Sequence, residues 1–143
     1  MKESNQDQKI IAWVQEQYGN ACKTEKRHAD RYSERGLPDL NFVVYGMSIQ
    51  IEDKVEKEFP RDDQLLRLLE YGTAGAISFW ADTFEMFLSK WEEYVEGNPV
   101  FKYLKSVWRE PEISNTALRF LDYKEKQQIN RSEWLQRYKE NKK

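Results

Sequence analysis

Apolar positions recur with a helical period early in the chain. In residues 9–18 (KIIAWVQEQY), Ile10, Ile11, Trp13, Val14 and Tyr18 fall near one face and Gly19 ends the run, the pattern of an amphipathic helix. Residues 20–37 are polar and basic with no clear period. The pattern then changes to two short β-prone runs in LNFVVYGMSIQI around Gly46-Met47, which predicts a hairpin. Pro60 opens a second helix, with Leu65, Leu66, Leu68 and Leu69 as its apolar stripe and Gly72 as its stop. AGAISFWA, residues 74–81, is a continuous apolar run of strand length, so a strand covered on both faces is expected. Asp82, with Glu85 three residues on, is placed to cap a further helix. That helix buries Phe84, Phe87, Leu88, Trp91, Tyr94 and Val95 and stops at Gly97. Residues 100–108, 116–123 and 132–138 are expected to be helical pieces separated by Pro111 and Asn130. A strand–helix–strand crossover brings the strand at 74–81 into the hairpin's sheet. The expected fold is therefore α/β, with a core over residues 1–97 and a helical extension, 98–143, packed on the same domain.

Strand parity carries the chemistry. Leu40, Phe42, Val44, Ile49 and Ile51 can share a buried face only if the hairpin loop has an even number of residues. A two-residue loop Gly46-Met47 meets this, with glycine first as a type II′ turn requires. Tyr45 then faces Ser48, Asn41 faces Glu52 and Asp39 faces Lys54. Asp39 and Glu52 become diagonal neighbours on the polar face, about 7–8 Å apart at Cα. Two carboxylates so close raise each other's pKa unless a cation lies between them. Oxygen donors with open positions suit Mg²⁺ or Mn²⁺, which accept phosphate oxygens, and a neighbouring lysine can orient water or stabilise charge on phosphorus. The alternative is a surface ion pair between Asp39 and Lys54, worth ~0–1 kcal/mol.

Composition narrows the field. The 143 residues are 39% hydrophobic, 14% aromatic and 34% charged, one domain's worth of chain that buries roughly two-thirds of its unfolded surface. No apolar run approaches the ~20 residues of a membrane helix, and the polar N-terminus carries no secretory h-region. One cysteine, Cys22, forms no internal disulfide, which fits a reducing compartment, the cytoplasm. With His28 as the sole histidine, zinc sites of several Cys and His, two-histidine nucleases and double-histidine phosphodiesterases are excluded. The net charge of −2 divides into +1 over residues 1–38, −8 over 39–97 and +5 over 98–143. An acidic middle beside a basic tail fits a cation site next to a polyanion-binding surface, though uneven solvated charge gives the same sums.

Gly36-Leu37-Pro38-Asp39 followed by Ile51-Glu52-Asp53-Lys54 resembles the PD…(D/E)xK signature of the restriction-endonuclease-like nucleases. More narrowly, the chain is similar to the VRR-NUC domain through Arg35-Gly36-x-Pro38-Asp39, Glu52-x-Lys54, Gln64 early in the next helix, and the stretch from Gly72 to Trp80. The resemblance spans roughly residues 9–96. It implies an α-β-β-(β)-α-β core with a small mixed sheet flanked by helices, and a metal-dependent DNA endonuclease. On that basis Asp39 and Glu52 bind Mg²⁺ or Mn²⁺, the backbone carbonyl of Asp53 adds a ligand, and Lys54 is the catalytic amine. Gln64 is a positioning residue behind the ligands, and Glu16 is the candidate for the acid that such folds often add from the first helix. The resemblance further implies branched DNA as substrate, cut as a Holliday-junction resolvase does by a homodimer, in a phage or host cytoplasm.

The middle of the Glu-x-Lys triplet is usually apolar in that family, whereas here it is Asp53. A buried carboxylate without a partner is costly, so an open strand end is expected there. Asp53 also keeps open a reading of another class: a nuclease-like module without chemistry that binds DNA or a protein. Lys26, Arg27, Arg31 and Arg35, just before the site, are candidates for phosphate contacts, which need only positive charge. Interleaved Glu25, Asp30 and Glu34 equally suit a solvated loop.

Overall fold

The computed structural model describes residues 3–28, 34–109 and 136–140. The chain divides into two compact units, Met1–Val107 and Trp108–Lys143. In the second, residues 136–140 are helical, while the helix expected at 116–123 and most of that at 132–138 lie outside the described residues.

In the first unit, helix α1 (Glu3–Tyr18) leads through a 3-10 turn into strand β1 (Cys22–Lys26). Strands β2 (Leu40–Val44) and β3 (Met47–Asp53), helix α2 (Asp62–Thr73) and strand β4 (Ile77–Ala81) follow. Helix α3 (Phe84–Lys90) continues as a π-helical segment, Trp91–Glu96, and α4 (Pro99–Val107) ends the unit. The sheet order is β1-β2-β3-β4, antiparallel at the first two junctions and parallel between β3 and β4. The parallel pairing is the crossover that the apolar run at 74–81 implied.

One face of the sheet is dry. Leu40, Phe42, Val44, Ile49, Ile51, Ile77, Phe79 and Ala81 pack with Ile10 and Val14 of α1, with Phe87, Trp91 and Val95 of the following helical segments, and with Phe101 of α4. Helix α2 covers the other face through Gln64 and Leu68, its buried residues. Leu66 and Leu69 are exposed, so the four-leucine stripe is only partly core. β4 buries alternate residues rather than both faces, because it ends the sheet.

Tyr94, expected in the core, is exposed, and three further local expectations change. β1 forms in the segment without a period: its side chains alternate between half-buried and exposed, so main-chain pairing to β2 makes the strand and apolar burial leaves no signal. The cap of α3 is Thr83, whose side chain accepts from the Met86 N–H at 3.0 Å, while Asp82 accepts from the Lys57 N–H at 3.1 Å. Third, the hairpin turns at Tyr45-Gly46, with φ of 52° and 84°, and not at Gly46-Met47. Two left-handed central residues make a type I′ turn, whose twist matches that of the strands. Tyr45 accepts that backbone because its ring packs edge-on to Tyr18 and Phe101.

No helix among the described residues is long and apolar enough to cross a membrane.

Candidate metal and nucleic-acid site

The observed turn moves the hairpin register by two residues. Leu40 pairs with Ile51 and Asn41 with Gln50, so Asp39, one residue ahead of β2, comes opposite Glu52 rather than Lys54. A shift of two preserves the faces, and Asp39, Gln50, Glu52 and Lys54 remain on the side covered by α2. The correction draws the two acids closer than the diagonal placement did. The Asp39 Oδ2 accepts the Asp53 N–H at 3.0 Å. Glu52 is 1% exposed and Lys54 7%.

Gln64 joins helix and strand. Its Oε1 accepts the Lys54 ammonium at 3.3 Å and the Arg61 N–H at the start of α2 at 2.9 Å. It caps the helix and fixes the lysine with one atom.

The loop bearing Asp39 is fastened from two sides. Gly36, at φ +82°, passes so near the first turn of α2 that a Cβ there would lie 2.8 Å from the Asp63 carbonyl. On the other side, the Arg27 N–H donates to the Asp39 carbonyl at 2.7 Å. The Arg27 guanidinium donates to the Pro38 carbonyl at 3.0 Å, Gln50 Oε1 at 2.8 Å and the Tyr71 hydroxyl at 3.1 Å. Arg27 thus serves as an internal tie, with its guanidinium engaged by the protein. Lys26 is 2.8 Å from the buried Asp7 of α1 and balances that charge. Arg35 is 84% exposed at its side chain and 3.2 Å from Asp63. Arg31 lies outside the described residues.

Asp53 is fully buried, so the strand end is not open to solvent as expected. Its Oδ1 accepts the amide of Gln6 in α1, and the same amide donates to the Lys54 carbonyl at 3.2 Å. The Glu52-Asp53-Lys54 triplet is thereby held from behind. Glu16 is exposed and sits ten residues along α1 from Gln6, about 15 Å of helix, so the fold does not bring it into this cluster.

Gln6 and Arg61 are the residues that sequence reasoning missed. Gln6 precedes the apolar stripe that marked α1, so no signal pointed to it. Arg61 lies between Pro60, which opens the helix, and Gln64, which the resemblance singles out, and that proximity was the available clue. The Arg61 guanidinium is held protonated above its ordinary range, first by its hydrogen bond to Asp63 and then by the charges of Asp63, Glu52 and Asp39. The same bond to Arg61 holds the Asp63 carboxyl below the usual range. Beside Asp39 opens a cavity of about 680 Å³ whose lining includes Asp39, Gln64, Arg61, Arg35, Arg27 and His28.

Among the described residues, no group of three or more His, Cys, Asp or Glu side chains is placed to hold a metal ion. The oxygen groups that could face an ion here are two carboxylates, Asp39 and Glu52, and a main-chain carbonyl. In a strand a residue's N–H and C=O point to the same side, so the Asp53 carbonyl shares the side of its N–H, which meets Asp39. These hard oxygen donors fit Mg²⁺ or Mn²⁺, which keep water in their remaining positions.

No protein-family model and no curated protein sequence matches the chain. Solved structures do. A VRR_NUC domain protein aligns at TM-score 0.53 and 15% identity, over 68% of this chain and 91% of its own. A second, a VRR_NUC domain, aligns at TM-score 0.48 and 22% identity, over 62% of this chain and 97% of its own. The former shares the four-stranded mixed sheet between helices, and the chain has the fold of the VRR_NUC domain.

Proposed function

We propose that this chain is a metal-dependent endonuclease that hydrolyses DNA phosphodiesters. The observation that carries the reading is the placement of Asp39, one residue ahead of β2, across from Glu52 of β3 in the continued register, with Lys54 on the same face and Asp39 on the wall of an arginine-lined cavity. Asp39, Glu52 and the Asp53 carbonyl would hold Mg²⁺ or Mn²⁺. When bound, the ion supplies Lewis-acid polarisation of the phosphodiester and of the attacking water. Lys54, held by Gln64, contributes an ammonium that donates to a phosphate oxygen or orients the water. Gln6 fixes the triplet from the dry side, and Arg27 and Gly36 fix the loop from which Asp39 projects. None of these roles needs a histidine.

Nicking of supercoiled plasmid with Mg²⁺ tests this. Wild type is expected to nick, to stop when a chelator removes the ion, and to recover with Mg²⁺ or Mn²⁺. Asp39→Ala and Lys54→Ala should each lower the rate by about 10²-fold or more. If wild type nicks no faster than these variants, the catalytic reading is wrong. The resemblance to VRR-NUC proteins extends the proposal to branched DNA, cut by a homodimer in a cell's or a phage host's cytoplasm. A symmetric dimer would present two sites to two strands. Equal cleavage of four-way junction, flap and linear duplex would remove the branched preference.

A further inference from the structure

The geometry points to Arg61 as the side chain that grips a phosphate of the nucleic-acid strand at the mouth of the site, with Asp63 holding it in place. This rests on the nuclease reading above and adds to it a substrate-contacting residue outside the Asp–Glu–Lys set.

Arg61 stands at the N-cap of α2 with its backbone N–H fixed by Gln64, the residue that also holds Lys54. Its guanidinium Nε lies 3.1 Å from Asp63 Oδ1, and its Nη2 3.4 Å from Oδ2. A guanidinium carries five N–H donors in a rigid fork that matches phosphate geometry, and these two bonds occupy one edge of it. The side chain is 55% exposed and lines the cavity together with Asp39 and Gln64. Asp63 also meets Arg35 across 3.2 Å, so one carboxylate anchors two arginines from different elements.

The electrostatic need is plain. Glu52 and Asp39 repel an incoming polyanion, and both of their charges are felt at Arg61. A cation on the cavity wall shared with Asp39 lowers that barrier. It also gives the strand a fixed point beside Lys54. Arg27 lines the same cavity, but its donors are directed to Pro38, Gln50 and Tyr71.

The test is binding of a fluorescently labelled duplex, followed by anisotropy with chelator present as salt is raised. Arg61→Ala should bind about tenfold more weakly, with a log–log salt slope shallower by about one. Arg61→Lys should restore the slope, because the charge remains, and only part of the affinity, because the fork does not. A folded Arg61→Ala with wild-type affinity and slope overturns the inference. So does weaker binding with an unchanged slope, which marks a structural role only. Should Arg61→Ala fail to fold, Arg61→Gln and Arg61→Lys decide on the same slope comparison. If wild type nicks plasmid while Arg61→Ala binds like wild type, this inference alone fails. If wild type neither binds nor nicks, the nuclease reading fails with it.

Discussion

At Gly36 the chain crosses the first turn of α2 with no room for a methyl group, 2.8 Å from the Asp63 carbonyl, and with φ at +82°. Two separate penalties meet there, a left-handed backbone and a clash with main chain that cannot rotate aside. Gly36→Ala is expected to cost at least about 1–2 kcal/mol, read as a lower thermal midpoint. It should reduce plasmid nicking by more than the lost folded fraction, because Asp39 follows three residues later on the displaced loop. An unchanged melting temperature would contradict this. Asp39, Glu52 and Lys54 were legible in the sequence because strand alternation assigns each a face, and Gly36 only through the resemblance that its motif carries. Asp53 was not, because its burial depends on Gln6, 47 positions away in the chain.

Between elements, the C-terminus of α1 is tied to the π-helical segment by Tyr18. Its hydroxyl donates to Glu96 and accepts the Trp91 indole N–H at 2.8 Å. Burial, and then the bond to Glu96, raise this phenol well above its ordinary value of 10.0. A raised acid keeps its proton in the folded chain after the unfolded chain has released it. Its stabilisation is therefore full below pH 10 and is lost as pH rises beyond that. Tyr18→Phe should cost about 1–3 kcal/mol, since the buried Trp91 N–H loses its acceptor. Urea unfolding on either side of pH 10 should also show a shallower alkaline loss in the variant than in wild type. Equal alkaline slopes would remove Tyr18 from that role. The existence and order of α1, the hairpin, α2, β4 and α3 were readable from periodicity. β1 and the turn position were not: an edge strand with half-buried polar side chains has no apolar pattern, and the two candidate turns each place a glycine at a position where positive φ is favoured.

Across the whole molecule, the core from Ile10 to Phe101 lies within the first compact unit, and that unit also contains every described residue of the candidate site. A chain ending at Val107 is accordingly expected to unfold in one cooperative thermal transition; a broad or multiphasic melt would show that later residues complete the core. What the sequence determined by itself was parity. Side chains alternate along a strand with a period of two, and any two-residue loop puts Leu40, Phe42, Val44, Ile49 and Ile51 on one side and Asp39, Glu52 and Lys54 on the other. What only the tertiary structure decided was which of those charges stand opposite each other, where Asp53 is housed, and that Arg27 ties the Asp39 loop to β3 and α2. Those outcomes depend on Tyr45 against Phe101, Gln6 against Asp53 and Arg27 against Tyr71. Such pairings are fixed by packing between distant segments, about which a local pattern of apolar and polar residues is silent.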